Sequence, residues 1–176
     1  GKIKVAAPVE YPEVGLYHPD VPGRVTEKLS DLPAFQSGGR VGVLLLRSYV
    51  LAGNAGHYDG AIAAMEARGM NVVPAFVAGL DSRAAIEKYF MKDGVPTVDA
   101  VVSLTGFSLV GGPAYNDSKA AEEILTRLDV PYLLAHPLEF QTIATWRASN
   151  AGLTPVEATM MVAIPELDGA IAPITY

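Results

Sequence analysis

Four short runs in this chain are almost wholly apolar rather than alternating, and a stretch with helical spacing or helix-capping residues accompanies them in turn. They are Val41 to Leu46, Met70 to Val77, Val98 to Leu104 and Val130 to Ala135, with Ala170 to Thr175 as a fifth candidate. A strand that is apolar throughout is covered on both faces, and parallel strands need helical crossovers. The pattern predicts an α/β fold: a parallel sheet of four or five strands with helices on both faces and right-handed crossovers, flavodoxin-like or Rossmann-like, with the flavodoxin-like order as first choice.

Local signals mark the helices. Gly69 suits a left-handed helix C-terminus after Arg68. Asp81 or Ser82 can cap a helix whose apolar side carries Ile86, Tyr89 and Phe90. Ala121, Ile124, Leu125 and Leu128 fall on one helical face. Thr154-Pro155-Val156-Glu157 is a capping box with proline at the first helical position, and that helix is expected to end before Pro165. Residues 1–40 hold Pro8, Pro12, Pro19, Pro22 and Pro33 without any sustained period. They read as a Pro-rich extended N-terminal arm lying over a partner surface, with residues 41–176 as the α/β domain.

Composition narrows the function. In 176 residues, 13 Lys and Arg stand against 19 Asp and Glu, a net charge of −6, and no basic block occurs. Binding to nucleic acid or to an anionic membrane is therefore not expected. The absence of cysteine excludes a disulfide framework, an Fe–S cluster, a cysteine nucleophile and a thiolate zinc site. The longest uncharged stretch, Ala100 to Asn116, is broken by Gly and Pro and is too short to span a bilayer, so no integral membrane segment is expected. Half the residues are hydrophobic and only 18% charged, which suggests a piece of something larger whose outer faces are covered.

In parallel sheets of this kind ligands sit beyond the carboxyl ends of the strands. The loops there are Arg47 to Gly60, Ala78 to Ser82, Thr105 to Asp117 and His136 to Trp146. The first contains Gly53-Asn54-Ala55-Gly56-His57-Tyr58, which matches neither the dinucleotide fingerprint nor the P-loop, so a nucleotide site is not supported. His57 is a functional candidate there, against the plainer reading of a loop histidine held by a backbone group. The run Thr105 to Pro113 is Gly-rich with an apolar middle, and forms either a wall against a flat apolar ligand, a nest for an anion, or a tight surface turn. His136 or Gln141 is a candidate to point into the same crevice, while Phe140 and Trp146 read as core. Pro165-Glu166-Leu167-Asp168-Gly169 puts two carboxylates into an apolar stretch. A buried carboxylate there would have a raised pKa and serve as a base near neutrality; the plainer reading is a solvated turn. If Ala170 to Thr175 joins the sheet in parallel, this turn lies at the opposite end from the other loops and faces another domain's pocket.

Several of these stretches closely resemble the porphyrin-binding H subunits of magnesium chelatase. They are Ser103 to Ala114 (Ser-Leu-Thr-Gly-Phe-Ser-Leu-Val-Gly-Gly-Pro-Ala), Leu128 to Leu133, Phe140-Gln141-Thr142 and Val162 to Gly169. Tyr11-Pro12-Glu13, Gly15 to Pro19, Glu66 to Gly69 and Val72-Val73-Pro74 look like the same family. The related cobaltochelatase large subunits share the Pro-Glu-x-Asp-Gly element, whereas the Gly-rich run points to magnesium. Family polypeptides are several times longer, so the resemblance implies an internal fragment, inactive alone. It also implies a ligase that inserts Mg²⁺ into protoporphyrin IX, the first committed step of chlorophyll or bacteriochlorophyll biosynthesis in photosynthesis. ATP would be hydrolysed by a separate AAA+ I subunit working with a D subunit, in a bacterial cytoplasm or a plastid stroma.

That chemistry needs a base beside the macrocycle and oxygen ligands for a hard cation. Glu166 is the first candidate, as base and as a transient Mg²⁺ ligand, and His57 the second. Tyr49, Phe107 and Tyr115 are candidates to stack on the ring, Arg47 to pair with a propionate, and Gln141 to line the porphyrin site. The competing readings are a cobaltochelatase domain and a non-catalytic docking domain within the chelatase. A receiver domain is disfavoured, because Arg47, Leu104 and Ala135 stand at the strand ends where it would need acidic residues.

Overall fold

The computed structural model describes residues 10–112 and 115–175. Pro8, Pro113 and Ala114 lie outside these. Among the described residues seven strands form one sheet. Two antiparallel strands, β1 (Val14–Tyr17) and β2 (Val25–Thr26), make one edge of it. Its parallel part consists of β3 (Arg40–Leu46), β4 (Asn71–Val77), β7 (Ala100–Ser103), β10 (Tyr132–His136) and β11 (Ile171–Thr175). The full order is β11-β10-β7-β3-β4-β1-β2. Numbered along the chain, the five parallel strands take the order 2-1-3-4-5, which is the flavodoxin-like arrangement expected from the sequence. Two short hairpins stand apart from it, β5 (Met91–Lys92) with β6 (Val95–Pro96), and β8 (Gly111–Gly112) with β9 (Tyr115–Asn116).

The absence of alternation in the strands has the expected cause. All seven residues of β4 are buried, with Val73, Ala75 and Val77 in one core and Val72 and Phe76 in the other. Helices α1 (Arg47–Leu51) and α2 (Gly56–Glu66) give Val50, Tyr58 and Ile62 to the core that holds Val43, Leu45 and Phe76. On the opposite face lie α3 (Arg83–Ala85), continued by a π-helical segment Ile86–Phe90, and α4 (Ser118–Leu128). Ile86, Tyr89 and Phe90, and Ala121, Ile124 and Leu128, point inward there, as their spacing predicts. The short α5 (Ile143–Ala148) follows β10 and buries none of its residues; the Thr142 side chain caps it by accepting the Thr145 N–H.

Two expectations need correction. The described part of the 1–40 arm lies on this chain's own sheet, through the pairing of β1 with β4 and of β2 with β1. Leu16, Tyr17, His18, Val21 and Leu32 are buried there. Gly15 makes the close approach possible, since a Cβ there would sit 2.6 Å from the Phe76 ring. The arm is also tied to α2: His18 Nε2 lies 3.0 Å from Glu66 Oε1, Tyr17 donates to Asp59 at 2.5 Å, and Arg24 donates to Asp59 at 2.6 Å. The prolines break the period of residues 10–40 but do not prevent short edge strands.

Pro165 likewise fails to end its helix. α6 (Pro155–Glu157) passes into a π-helical segment, Ala158–Ala163, and then into α7 (Ile164–Leu167), which carries Pro165 in its first turn. The wider π turn precedes the ring, and Pro165 stands in the first turn of the renewed α-helix, where a proline is tolerated. The capping box itself is formed as expected, with Thr154 and Glu157 reciprocally bonded.

Candidate functional site

The parallel order reverses between β3 and β7, because the chain moves from β3 to β4 on one side and then returns to place β7 on the other. The crevice beyond that switch point is where this architecture holds ligands. A cavity of about 280 Å³ opens near it, lined by Leu46, Ser48, Tyr49, Phe107, Glu139, Phe140 and Met161. Its walls come from the end of β3, from α1, from the loops that follow β7 and β10, and from the π-helical segment Ala158–Ala163. Apart from Glu139, the Tyr49 hydroxyl and Ser48, the lining is apolar or aromatic.

Tyr49 and Phe107, chosen from the sequence as ring-stacking residues, are brought together in this cavity. Glu139, which sequence reasoning missed, accepts a short hydrogen bond from the Tyr49 hydroxyl. Burial, reinforced by that bond and by the Glu139 charge, pushes the Tyr49 pKa up to about 12, so the phenol stays protonated at neutral pH. The His57 ring meets Tyr49 edge-on at 5.0 Å and lies 4.0 Å from the Tyr58 ring. Partial burial lowers the His57 pKa, with Glu139 and Asp59 pulling it upward without restoring it. The imidazole is thus neutral near pH 7 and able to take a proton. Tyr58 fixes the base of the arrangement by accepting the Leu46 N–H at 3.1 Å, where β3 ends.

The other candidates are placed elsewhere. Arg47 donates to the carbonyls of Pro12 at 3.1 Å and Tyr11 at 3.0 Å, strapping the N-terminal segment to the end of β3. Tyr115 is 67% exposed on β9, outside the cavity lining. Gln141 donates to Glu157 at 2.7 Å and to the Gly152 carbonyl at 3.3 Å. Glu157 is fully buried; burial raises its pKa, but the Thr154 N–H and hydroxyl, Gln141 and the Phe140 N–H outweigh this and hold it below the usual range. Glu166 is exposed on α7, in the turn that leads into the parallel strand β11, so among the described residues no apolar pocket surrounds it. Its neighbour Asp168 is buried instead. Phe140 is 58% exposed and Trp146 partly so, which overturns their reading as core residues. Among the described residues no three His, Asp or Glu side chains cluster closely enough to hold a metal ion.

A family description, CobN/Magnesium Chelatase, matches residues 1–176. The chain belongs to the CobN/magnesium chelatase family. It is 57% identical to the magnesium-chelatase H subunit of Cereibacter sphaeroides over 99% of its own length and 15% of the relative's. It is 39% identical to the chloroplastic magnesium-chelatase ChlH of Oryza sativa, again over 99% of this chain and 14% of that protein. Among solved structures, the catalytic subunit of cobaltochelatase from Mycobacterium tuberculosis superposes with a TM-score of 0.68 at 27% identity, covering 97% of this chain and 14% of that one. The chain therefore spans about one-seventh of the relatives it matches. Among the described residues, no helix is long and apolar enough to cross a membrane.

Proposed function

We propose that this chain forms one wall of the tetrapyrrole site of a magnesium chelatase, whose assembly inserts Mg²⁺ into protoporphyrin IX. The observation that carries the reading is the half-open aromatic cavity at the switch point, edged by the Tyr49–Glu139 pair. Pockets that enclose whole small molecules run from roughly 300 to 1,000 Å³. At 280 Å³ this cavity suits an edge or one face of a macrocycle, leaving the opposite wall to the rest of a longer subunit. Magnesium is favoured over cobalt because identity to the Cereibacter protein is 57%, against 30% to the cobaltochelatase CobN of Pseudomonas aeruginosa.

In the reaction two pyrrole N–H bonds break, two protons pass to bases, and the ring nitrogens bind Mg²⁺ as it sheds water. Tyr49, Phe107 and Phe140 present flat or apolar surface to the ring. Glu139 is the carboxylate at the cavity and takes a pyrrole proton, with neutral His57 behind Tyr49 as the second acceptor. Glu166 faces outward, where it would meet a wall contributed by another part of the subunit and serve as an oxygen ligand for incoming Mg²⁺. ATP hydrolysis belongs to a partner AAA+ I subunit working with a D subunit, consistent with the lack of a P-loop in this sequence.

Fluorescence quenching of a water-soluble porphyrin tests the reading directly in the full-length subunit. Phe107→Ala and Tyr49→Ala should each weaken binding by about ten-fold, in line with the loss of an aromatic contact. Unchanged affinity in both would remove the cavity from the porphyrin site and leave a docking domain. That second reading draws on the exposed Ile143, Val156, Leu167, Ile171 and Ile174.

A further inference from the structure

Asp168 is a buried carboxylate that the proposed chemistry does not use; its side chain is nearly inaccessible, at 2% exposure. It lies in the turn before β11, yet its partners are on the loop that follows β7. Asp168 Oδ2 accepts from the Ser108 hydroxyl at 2.6 Å and from the Leu109 N–H at 2.8 Å. Ser108 in turn accepts the Val110 N–H at 3.3 Å, and the Leu109 carbonyl accepts from Ser82 N–H at 3.0 Å. Phe107, which lines the cavity, directly precedes these anchored residues. On its other side Gly106 adopts φ +68 and packs so closely on Met161, itself a cavity residue, that a Cβ would lie 3.1 Å from its terminal methyl.

Burying a carboxylate is costly unless hydrogen bonds compensate it, and charge-assisted bonds are about twice as strong as neutral ones. Here the compensation comes from one loop, joined to Asp168 across 60 residues of sequence, and it reaches Oδ2, while the buried Oδ1 has no hydrogen-bond partner among the described residues. The geometry points to Asp168 as a positioning residue: it holds the Ser108–Val110 segment so that Phe107 stands in the cavity wall. The Pro-Glu-Leu-Asp-Gly element then divides its work. Asp168 faces inward and sets the shape of the tetrapyrrole wall, while Glu166 faces outward. This inference rests on the porphyrin reading of the cavity and adds to it a residue that touches no ligand.

The test uses the full-length subunit with Asp168→Ala, Asp168→Asn, Ser108→Ala and Phe107→Ala. Hydrogen exchange at the Leu109 amide reads the clamp without any ligand. Asp168→Ala should expose that amide and weaken porphyrin binding about ten-fold or more. Asp168→Asn retains an oxygen that can accept both bonds and should restore most of the affinity and protection. Ser108→Ala removes one bond and guards against a misfolded Asp168→Ala; it should show a smaller loss in the same direction. If Phe107→Ala weakens porphyrin binding but Asp168→Ala and Ser108→Ala leave both affinity and Leu109 exchange unchanged, the positioning role is wrong and the cavity reading stands. If Phe107→Ala has no effect either, the cavity reading itself has failed.

Discussion

Tyr49 and Glu139 stand 90 residues apart in the chain and share a short hydrogen bond at the mouth of the switch-point cavity. The phenol, with its pKa pushed up to about 12, stays protonated throughout the physiological range and is the donor of that bond. The bond engages Glu139 Oε1.

Glu139→Gln keeps the size and a hydrogen-bond acceptor for Tyr49 but removes the proposed base. Loss of a general base costs about 10²–10⁴ in rate. The expected outcome in the assembled chelatase is a fall in kcat of about 100-fold or more, with porphyrin affinity close to wild type. Parallel assay of Glu166→Gln separates the two carboxylates: a change in the Mg²⁺ dependence, with porphyrin binding kept, is expected there. Steady-state kinetics against each substrate checks both.

The carboxylate at the cavity was hidden in the sequence for a physical reason. Strand and helix periodicity reads burial and gives the parallel α/β class with its loops at the carboxyl ends, and the order β4-β3-β7-β10-β11 agrees with the flavodoxin-like arrangement that is the first choice of topology. Tyr49 and Phe107 were legible as aromatic residues in those loops. Glu139 gave no such signal, because its meaning comes from Tyr49, which helix α1, following β3 directly, places within hydrogen-bonding reach of it. Arg47 shows the converse. Its charge and position suggested a propionate partner, but the strap to Tyr11 and Pro12 depends on the N-terminal segment joining the sheet, which a Pro-rich stretch without a period does not announce. In Pro-Glu-Leu-Asp-Gly the spacing gave two carboxylates, and only the helix running on through Pro165 decides which is buried.

Gly106→Ala tests the fit between the Gly-rich loop and the π-helical segment. A left-handed conformation costs an L-residue about 1–2 kcal/mol, and the new methyl would press on Met161. Urea unfolding should show a loss of about that size, and porphyrin affinity should fall because Met161 is displaced toward the cavity. Equal stability to wild type would show that the loop relaxes away from φ +68 at no cost.

Thr154→Ala removes one half of the capping box. Loss of such a cap costs about 0.5–2 kcal/mol, and here the buried Glu157 also loses the 2.8 Å bond from the Thr154 hydroxyl. The expected value is therefore at the upper end of that range. Thr154→Ser, which keeps the hydroxyl, should recover most of it in the same unfolding experiment.

Acidification should destabilise the protein in two stages. Burial holds the His136 imidazole below its ordinary pKa, against opposing pulls from the Pro137 backbone and the Glu157 charge, and His57 is lowered by burial in the same way. An unfolded histidine titrates near about 6.5. Below that pH the unfolded chain binds protons that the folded chain does not, so the contribution of both histidines is fully present above it and is lost as pH falls toward their folded values. Glu157, also lowered in the folded state, keeps its contribution until the pH falls below the ordinary carboxylate value of 4.5, and then loses it. Urea midpoints should therefore fall as pH drops from about 7.5 to 5.5, and His136→Gln should flatten that slope whatever it does to the absolute midpoint. A wild-type midpoint that rises on acidification over this interval would contradict the assignment of neutral imidazoles at the buried His136 and the half-buried His57.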